Sequence, residues 1–447
     1  MGLFDRLNKR KGPRVAFIGI DGVPYSLITE NPDTFKNITE MSKNGSSGEI
    51  NSIVPPESSA CWPSITTGKN PGSTGVYGFQ ERKMGSYETY IPMGNDVKGK
   101  RLWEWVTESG RNATVVNVPV TYPPMKEIQR MVSGFLSTSV EDAASPQELR
   151  EYLISTEYRI DVDSKLGHYD DKSAFLEDAK ATLKKRFEAF EYLIKKNDWD
   201  LFFGVFMTTD RVNHFLYSDY QQKGAYFEEF LEFYEILDEY IGCLKEILPE
   251  DVTMIIASDH GFTELKYEFH ANEWLREIGW LEYKKDRKNS LEDVGAKSKA
   301  YSLIPGRFYI NLEGREPDGK IKHGEYVQVR EELKEMLLRI ESPEGERVMK
   351  NVEIKEDIFQ GDQIQIAPDL VALPNDGYDL KAGFNENGKV FSKGPRTGMH
   401  TFENASLVID RPGADIEGSN LYSIAPTILN LMEIEYDANA FDGESLI

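Results

Sequence analysis

Six residues of metal-ligand type and a short serine segment stand far apart in this chain, each in a local context that could support chemistry. Asp21 closes the apolar run Val15–Ile20 and precedes Gly22. A carboxylate at a strand end can hold a divalent cation, although alone such an aspartate more often caps a helix or turn. Asp210 and His214 are four apart, so on a helix they share one face and their ligand atoms can converge on one ion. Asp259-His260-Gly261 follows the run Thr253–Ala257 and forms a tight two-ligand corner, with the glycine relieving the backbone. His400 ends Gly394-Pro-Arg-Thr-Gly-Met-His400, a breaker-rich stretch expected to be a loop carrying a histidine to a rigid site. Ser58 and Ser59 lie in Pro55–Gly68, where either would cap a following helix. A hydroxyl at a helix N-terminus beside metal ions loses its proton more easily, and the backbone amides there attract phosphate oxygens.

Those residues need a scaffold, and the hydrophobic pattern supplies one. Val15–Ile20, Ala113–Val118, Leu201–Met207 and Thr253–Ala257 are continuous apolar runs, which read as strands buried on both faces. Leu370–Leu373 and Ser406–Ile409 are weaker examples. Helical periodicity falls between them, at 171–196, 224–247 and 326–341, and a closing helix is expected over 420–432. The alternation predicts an α/β fold, a mainly parallel central sheet flanked by helices. Such sheets bind ligands beyond the carboxyl ends of their strands, where Asp21, Asp210 and Asp259 fall. Residues 78–100 read as a long loop over the site. Residues 265–395 read as an inserted or capping subdomain on a core formed by 13–264 and 396–447.

Composition narrows the function classes. The 447 residues carry 75 acidic and 52 basic side chains, for a net charge of -23. That surface repels nucleic-acid phosphates, so no nucleic-acid polymer is expected as a partner. Two cysteines, Cys61 and Cys243, make no disulfide framework and suit a reducing, cytoplasmic setting. No segment is apolar enough to span a membrane. Residues 1–12 read as a flexible leader, with peripheral membrane contact through Leu3, Phe4 and Leu7 as the alternative.

Taken in order, these motifs resemble the alkaline phosphatase superfamily, in its type I phosphodiesterase/nucleotide pyrophosphatase branch. The similar features are Gly19–Gly22, Pro55–Gly68 with Asn70-Pro-Gly, Thr209-Asp210 with His214, Ser258–Gly261, Gly398-Met-His400, and the closing Ala425-Pro-Thr-Ile with Asp442-Gly443. The resemblance implies a nucleophile nine positions before Thr67, which is Ser58, with Ser59 the second choice. It implies that Asp210, His214 and His400 hold one divalent ion and that Asp21, Asp259 and His260 hold a second. Zinc suits this donor set, with manganese or iron as alternatives. The implied reaction is hydrolysis of a small phosphorylated substrate, a nucleotide among them, through a covalent phosphoserine-type intermediate.

Two departures leave the substrate open. No asparagine follows the nucleophile, since the stretch reads Ser59-Ala60-Cys61-Trp62, and the phosphate-gripping arginine of monoesterases has no clear counterpart. Lys69, Arg82, Lys83 and Arg211 are the positional candidates for substrate contact. Rival readings are a phosphomonoesterase or phosphotransferase of the same superfamily and a non-catalytic metal-binding protein. A sulfatase is a further rival, because Cys61-Trp-Pro-Ser64 partly matches a Cys-X-Pro-Ser signature.

Overall fold

The computed structural model describes residues 12–286, 288–384 and 388–447. The leader and its membrane alternative lie almost wholly outside them. Eight strands form the central sheet: β1 (Arg14–Ile20), β2 (Ser46–Ile50), β3 (Ala113–Val118), β4 (Arg130–Ser133), β5 (Ala144–Ser145), β6 (Leu201–Phe206), β7 (Val252–Ala257) and β8 (Ala405–Ile409). Their order is β2-β8-β7-β1-β6-β3-β4-β5. The five inner strands β7-β1-β6-β3-β4 are parallel, while β8 pairs antiparallel with both β7 and the edge strand β2, and β5 pairs antiparallel with β4 at the other edge.

Every residue of β1, β3, β6 and β7 is buried, as continuous apolar strands in a doubly covered sheet must be. Alternate side chains go to opposite faces. Ala16, Ile18 and Ile20 join one core with the helices α2 (Ser173–Lys196), α3 (Thr208–Gln222) and α4 (Phe227–Ile247). Val15 and Phe17 join the other, with α1 (Ser58–Thr67) and α5 (Ile424–Leu431). In α2 the buried residues Phe175, Leu176, Ala179, Leu183, Phe190, Leu193 and Ile194 recur at helical spacing, and Asn197 stops the helix in the left-handed conformation. The closing helix is shorter than 420–432, because Leu421–Ser423 is a 3-10 turn and the α-helix starts at Ile424.

A second layer has its own core, which includes Phe269, Leu275, Tyr301, Phe308, Leu333 and Leu370. It contains a four-stranded sheet, ordered Ala300–Ile304, Arg307–Ile310, Leu370–Pro374 and Met349–Ile354. The 78–100 stretch is not only loop. Glu81–Arg82 and Thr89–Tyr90 pair as a small hairpin. That hairpin is fixed to the second layer by an Arg82–Glu316 ion pair and by Tyr87 Oη donating to Asn311 Oδ1 at 2.8 Å.

Candidate active site

Register brings the three acids together. β1 lies between β7 and β6, with Gly19 opposite Ala257 and Ile20 opposite Phe206. Asp21, Asp259 and Asp210 therefore emerge just beyond the carboxyl ends of three adjacent parallel strands. Thr209 Oγ1 ties two of these ends, donating to Asp21 O at 2.6 Å and to Phe206 O at 3.0 Å. Gly22 makes the turn after Asp21 with φ 65, and a Cβ there would meet His260 Cε1 at 3.0 Å, so both conformation and space require glycine. Gly19 leaves room for Trp62, whose Nε1 donates to Asp21 Oδ2 at 2.7 Å.

His400 arrives differently from the loop expected of its sequence. It lies in the strand Gly398–Thr401, which pairs antiparallel with Gly261–Glu264 and sets His400 opposite Phe262. Long-range pairing overrides the local breakers Gly394, Pro395 and Gly398. The His260 and His400 rings stack with centroids 3.7 Å apart.

All three histidines face the site in the same way. Their Nδ1 atoms lie 3.1 Å (His214 to Gly398 O), 3.0 Å (His260 to Gly261 O) and 3.0 Å (His400 to Pro56 O) from carbonyl oxygens. A carbonyl only accepts, so Nδ1 carries the hydrogen and each Nε2 offers a lone pair. Asp210 Oδ1 is 3.3 Å from His214 Nε2 and 3.1 Å from His400 Nε2. Asp21, Asp259 and His260 form a second close group, and His260 also lies within reach of Asp210 and His400.

These residues fit divalent cations on structural grounds. Three carboxylates are buried together, Asp259 Oδ2 is buried without a hydrogen-bond partner, and two imidazole lone pairs confront each other. Burial, then the Asp259 and Asp210 charges, push the Asp21 carboxyl well up. Burial likewise raises Asp259 to about 7 and lowers His260 to about 3, and it depresses His214 strongly. Asp210 goes the other way. Burial opposes it, but the His214 and His400 imidazoles and the Arg211 guanidinium beside it hold it well below the usual carboxylate range.

Ser58 is the first residue of α1. Its Oγ lies 3.3 Å from Asp21 Oδ1 and 3.2 Å from His260 Nε2. The helical hydrogen bonds begin with Ala60 and Cys61 N–H donating to Glu57 O, which leaves the Ser58 and Ser59 N–H groups outside the ladder. Ser59 Oγ is buried without a partner, and Cys61 packs in the apolar core with Ser52 Oγ at 3.4 Å. The geometry thus gives the position beside the acids to Ser58, not to Ser59 or to the cysteine on which the sulfatase reading rests.

The positional candidates for substrate contact separate. Lys69 Nζ is 3.2 Å from Asp442 Oδ1, a tie between the end of α1 and the C-terminal segment. Arg82 is buried against Glu316 in the second layer. Lys83 pairs with Glu88 at 2.7 Å on the surface. None of the three lines the cavity above Ser58. Arg211 does, though it is held by Asp210 and by Asp161, each at 2.9 Å. The cavity has a volume of about 800 Å³, with Ser58, Asp210, His214 and His400 on its floor and second-layer residues such as Ile304, Leu380 and Phe384 on its wall. Sequence reasoning missed Arg396 and Arg307 on that wall, although Arg396 stands inside the breaker-rich segment that leads to His400.

The family model for type I phosphodiesterase / nucleotide pyrophosphatase matches residues 15–403. The chain belongs to this family of metal-dependent enzymes that hydrolyse phosphate esters. Among solved structures, the fold is similar to phosphonoacetate hydrolase from Sinorhizobium meliloti in complex with phosphonoformate. That match has a TM-score of 0.61 at 16% identity and covers 96% of this chain and 98% of the other. Murine ectonucleotide pyrophosphatase/phosphodiesterase 5, an inactive form in complex with AMP, matches with a TM-score of 0.59 at 13% identity, covering 97% of each chain. At these identities the likeness shows an alkaline-phosphatase-like fold. No curated sequence matches significantly. Among the described residues, no helix is long and apolar enough to cross a membrane.

Proposed function

We propose that this enzyme is a two-metal phosphodiesterase of the nucleotide-pyrophosphatase kind, with Ser58 as the nucleophile. The observation that carries the reading is the position of the Ser58 hydroxyl at a helix start, within 3.3 Å of Asp21 and 3.2 Å of His260. Asp210, His214 and His400 would hold one ion, and Asp21, Asp259 and His260 the other. Zinc suits the three imidazole nitrogens and three carboxylates, with manganese or iron as alternatives. Bound divalent ions supply positive charge that lowers the pKa of the serine hydroxyl and stabilises the leaving oxygen.

The residues then act in order. Ser58 Oγ forms a bond to phosphorus as its proton passes to water in the open cavity, and the bond from phosphorus to the leaving oxygen breaks, that oxygen departing with the bonding pair and taking a proton back from water. The Ser58 and Ser59 N–H groups offer donors to a phosphoryl oxygen, and the positive end of the α1 dipole favours the anion. Water then attacks phosphorus, the serine ester bond breaks, and Ser58 regains a proton given up by the attacking water. The cavity beyond Ser58 favours a diester over a bare monoester, because it offers space and an apolar wall for a second substituent. Phosphonoformate and AMP in the two structural neighbours support a small phosphorylated substrate, a nucleotide among them. The second layer, taken as a cap over 265–395 on the core at 13–264 and 396–447, selects the substrate. Two unbridged cysteines fit a cytoplasmic setting.

The test is turnover by metal-reconstituted enzyme of bis-p-nitrophenyl phosphate, p-nitrophenyl phosphate and p-nitrophenyl sulfate, with Ser58→Ala alongside. Diester cleavage should exceed the other two and fall about a thousand-fold or more in the variant. Faster monoester cleavage would move the enzyme to the phosphatase branch. No cleavage of any ester by fully metallated wild type would remove the hydrolase reading.

A further inference from the structure

The charges on the cavity wall are almost all compensated within the protein. Glu57 Oε2 is 2.5 Å from Arg307, and Asp210 is 2.9 Å from Arg211. Lys381 is shared by Asp379 at 2.5 Å and Glu268 at 3.4 Å, and Glu273 is 3.0 Å from Arg276. Each wall carboxylate therefore has a cation, and Arg211, Arg307 and Lys381 each have an anion. Arg396 is the exception. It lines the same cavity as Ser58, His214 and His400, is half-buried, and makes no hydrogen bond or ion pair with any described residue.

The backbone that presents Arg396 is fixed. Thr397 N–H donates to His214 O at 2.7 Å, and Thr397 O accepts from Leu265 N–H at 2.8 Å. Ser218 N–H reaches Thr397 Oγ1 at 3.4 Å. Arg396 therefore stands one residue from backbone bonded to the helix that carries Asp210 and His214. Its charge is felt at His214, behind burial and the Asp210 charge, and at Asp379, behind burial and the paired Lys381. A guanidinium that is permanently charged and partly withdrawn from water is costly without a directly paired counter-ion, and its planar fork matches carboxylate and phosphate.

We propose that Arg396 anchors a second anionic group of the substrate, a carboxylate or a phosphate carried away from the scissile phosphorus, and so sets the enzyme's preference among phosphodiesters. The proposal rests on the functional reading above. The substrate would place its scissile phosphorus at Ser58, its apolar portion against Ile304, Leu380 and Phe384, and its distal anion on Arg396.

Ethyl, 2-carboxyethyl and 2-phosphooxyethyl p-nitrophenyl phosphates form a graded substrate set, read as kcat/KM for wild type, Arg396→Ala and Arg396→Lys. Wild type should prefer one or both of the charged diesters over the ethyl ester, and the carboxylate and phosphate arms separate the two anion sources. Arg396→Ala should lose about ten- to a hundred-fold more on the preferred charged ester than on the ethyl ester. Arg396→Lys should recover part of the loss. Equal losses on charged and neutral esters, or no loss on either, would overturn the proposal. Binding of 4-phosphonobutyrate against butylphosphonate, measured by calorimetry on metal-loaded protein, separates this idea from the reaction. If no ester is turned over yet Arg396→Ala removes a preference for 4-phosphonobutyrate, the anchor stands and the hydrolase reading falls. Wild-type binding of both compounds alike would remove the anchor whether or not diesters are cleaved.

Discussion

His214 Nε2 and His400 Nε2 lie 3.1 Å apart, and each ring already commits its Nδ1 hydrogen to a backbone carbonyl. Neither nitrogen has a hydrogen to give the other, so the contact is a meeting of lone pairs beside the Asp210 carboxylate. A cation is the natural partner for such a group.

Metal content tests that relationship. His400→Ala and Asp210→Asn should each lower bound divalent ion from about two to about one per chain by elemental analysis, with the fold kept by circular dichroism. Chelation of wild type should lower Tm and restoring the ion should raise it, since free ion at about a thousand times Kd adds about 4 kcal/mol. Unchanged ion content in both variants would contradict the assigned ligands.

Trp62 supports Asp21 from beneath the sheet, through its 2.7 Å hydrogen bond and the space left by Gly19. Trp62→Phe keeps most of the ring and removes the donor. Metal affinity or kcat/KM should fall about ten- to a hundred-fold, as for other groups that orient a metal ligand. Competition with a chromophoric chelator reads the affinity directly. Wild-type affinity together with wild-type kcat/KM would show that the indole only packs.

Arg307 joins the second layer to the serine segment. It is buried, its Nε donates to Tyr77 O at 2.9 Å and its Nη1 to Pro305 O at 2.5 Å, while its charge faces Glu57. Arg307→Ala should cost about 3–5 kcal/mol by leaving Glu57 without its counter-charge. Urea unfolding with an unchanged m-value would read this loss. A change below about 1 kcal/mol would show that the two layers do not depend on this residue.

Three acids at the ends of apolar runs are legible in the amino-acid sequence, because strands buried on both faces leave long uninterrupted signatures. Their neighbourhood is not. Only the sheet order makes β7, β1 and β6 adjacent, and that adjacency is what makes Asp259, Asp21 and Asp210 one site. The edge strand β2 and the outlying β4 are short and partly polar or exposed, so they carry little signal. Lys69 and Arg82 look available along the chain because their partners, Asp442 and Glu316, are 373 and 234 positions away. His400 is recognisable but its strand is not, since four residues after a run of breakers pair only through Gly261–Glu264. Arg396 stands out only once every other charge around the cavity has found its partner.

Glu81 gives a pH prediction. Its Oε1 accepts Tyr77 N–H at 2.6 Å and Gly78 N–H at 3.0 Å, and burial raises its carboxyl to about 8. The folded state therefore holds a proton that the unfolded chain releases near pH 4.5. Stability contributed by this site is full below that value and is lost as pH rises through about 8, on the order of a few kcal/mol. Glu81→Gln offers the same carbonyl acceptor and cannot ionise. Urea midpoints between pH 5 and 9 should fall less in the variant than in wild type. Parallel profiles would mean that Glu81 is ionised in the folded protein.

The central claim is that Ser58 attacks phosphorus. Metal-loaded enzyme mixed with bis-p-nitrophenyl phosphate and acid-quenched in the first turnover should carry a p-nitrophenyl phosphate adduct on the peptide containing Ser58, by mass spectrometry. The adduct should be absent in Ser58→Ala, with turnover lost. Turnover by wild type with no adduct, and with Ser58→Ala still active, would contradict the account and point to direct attack by water.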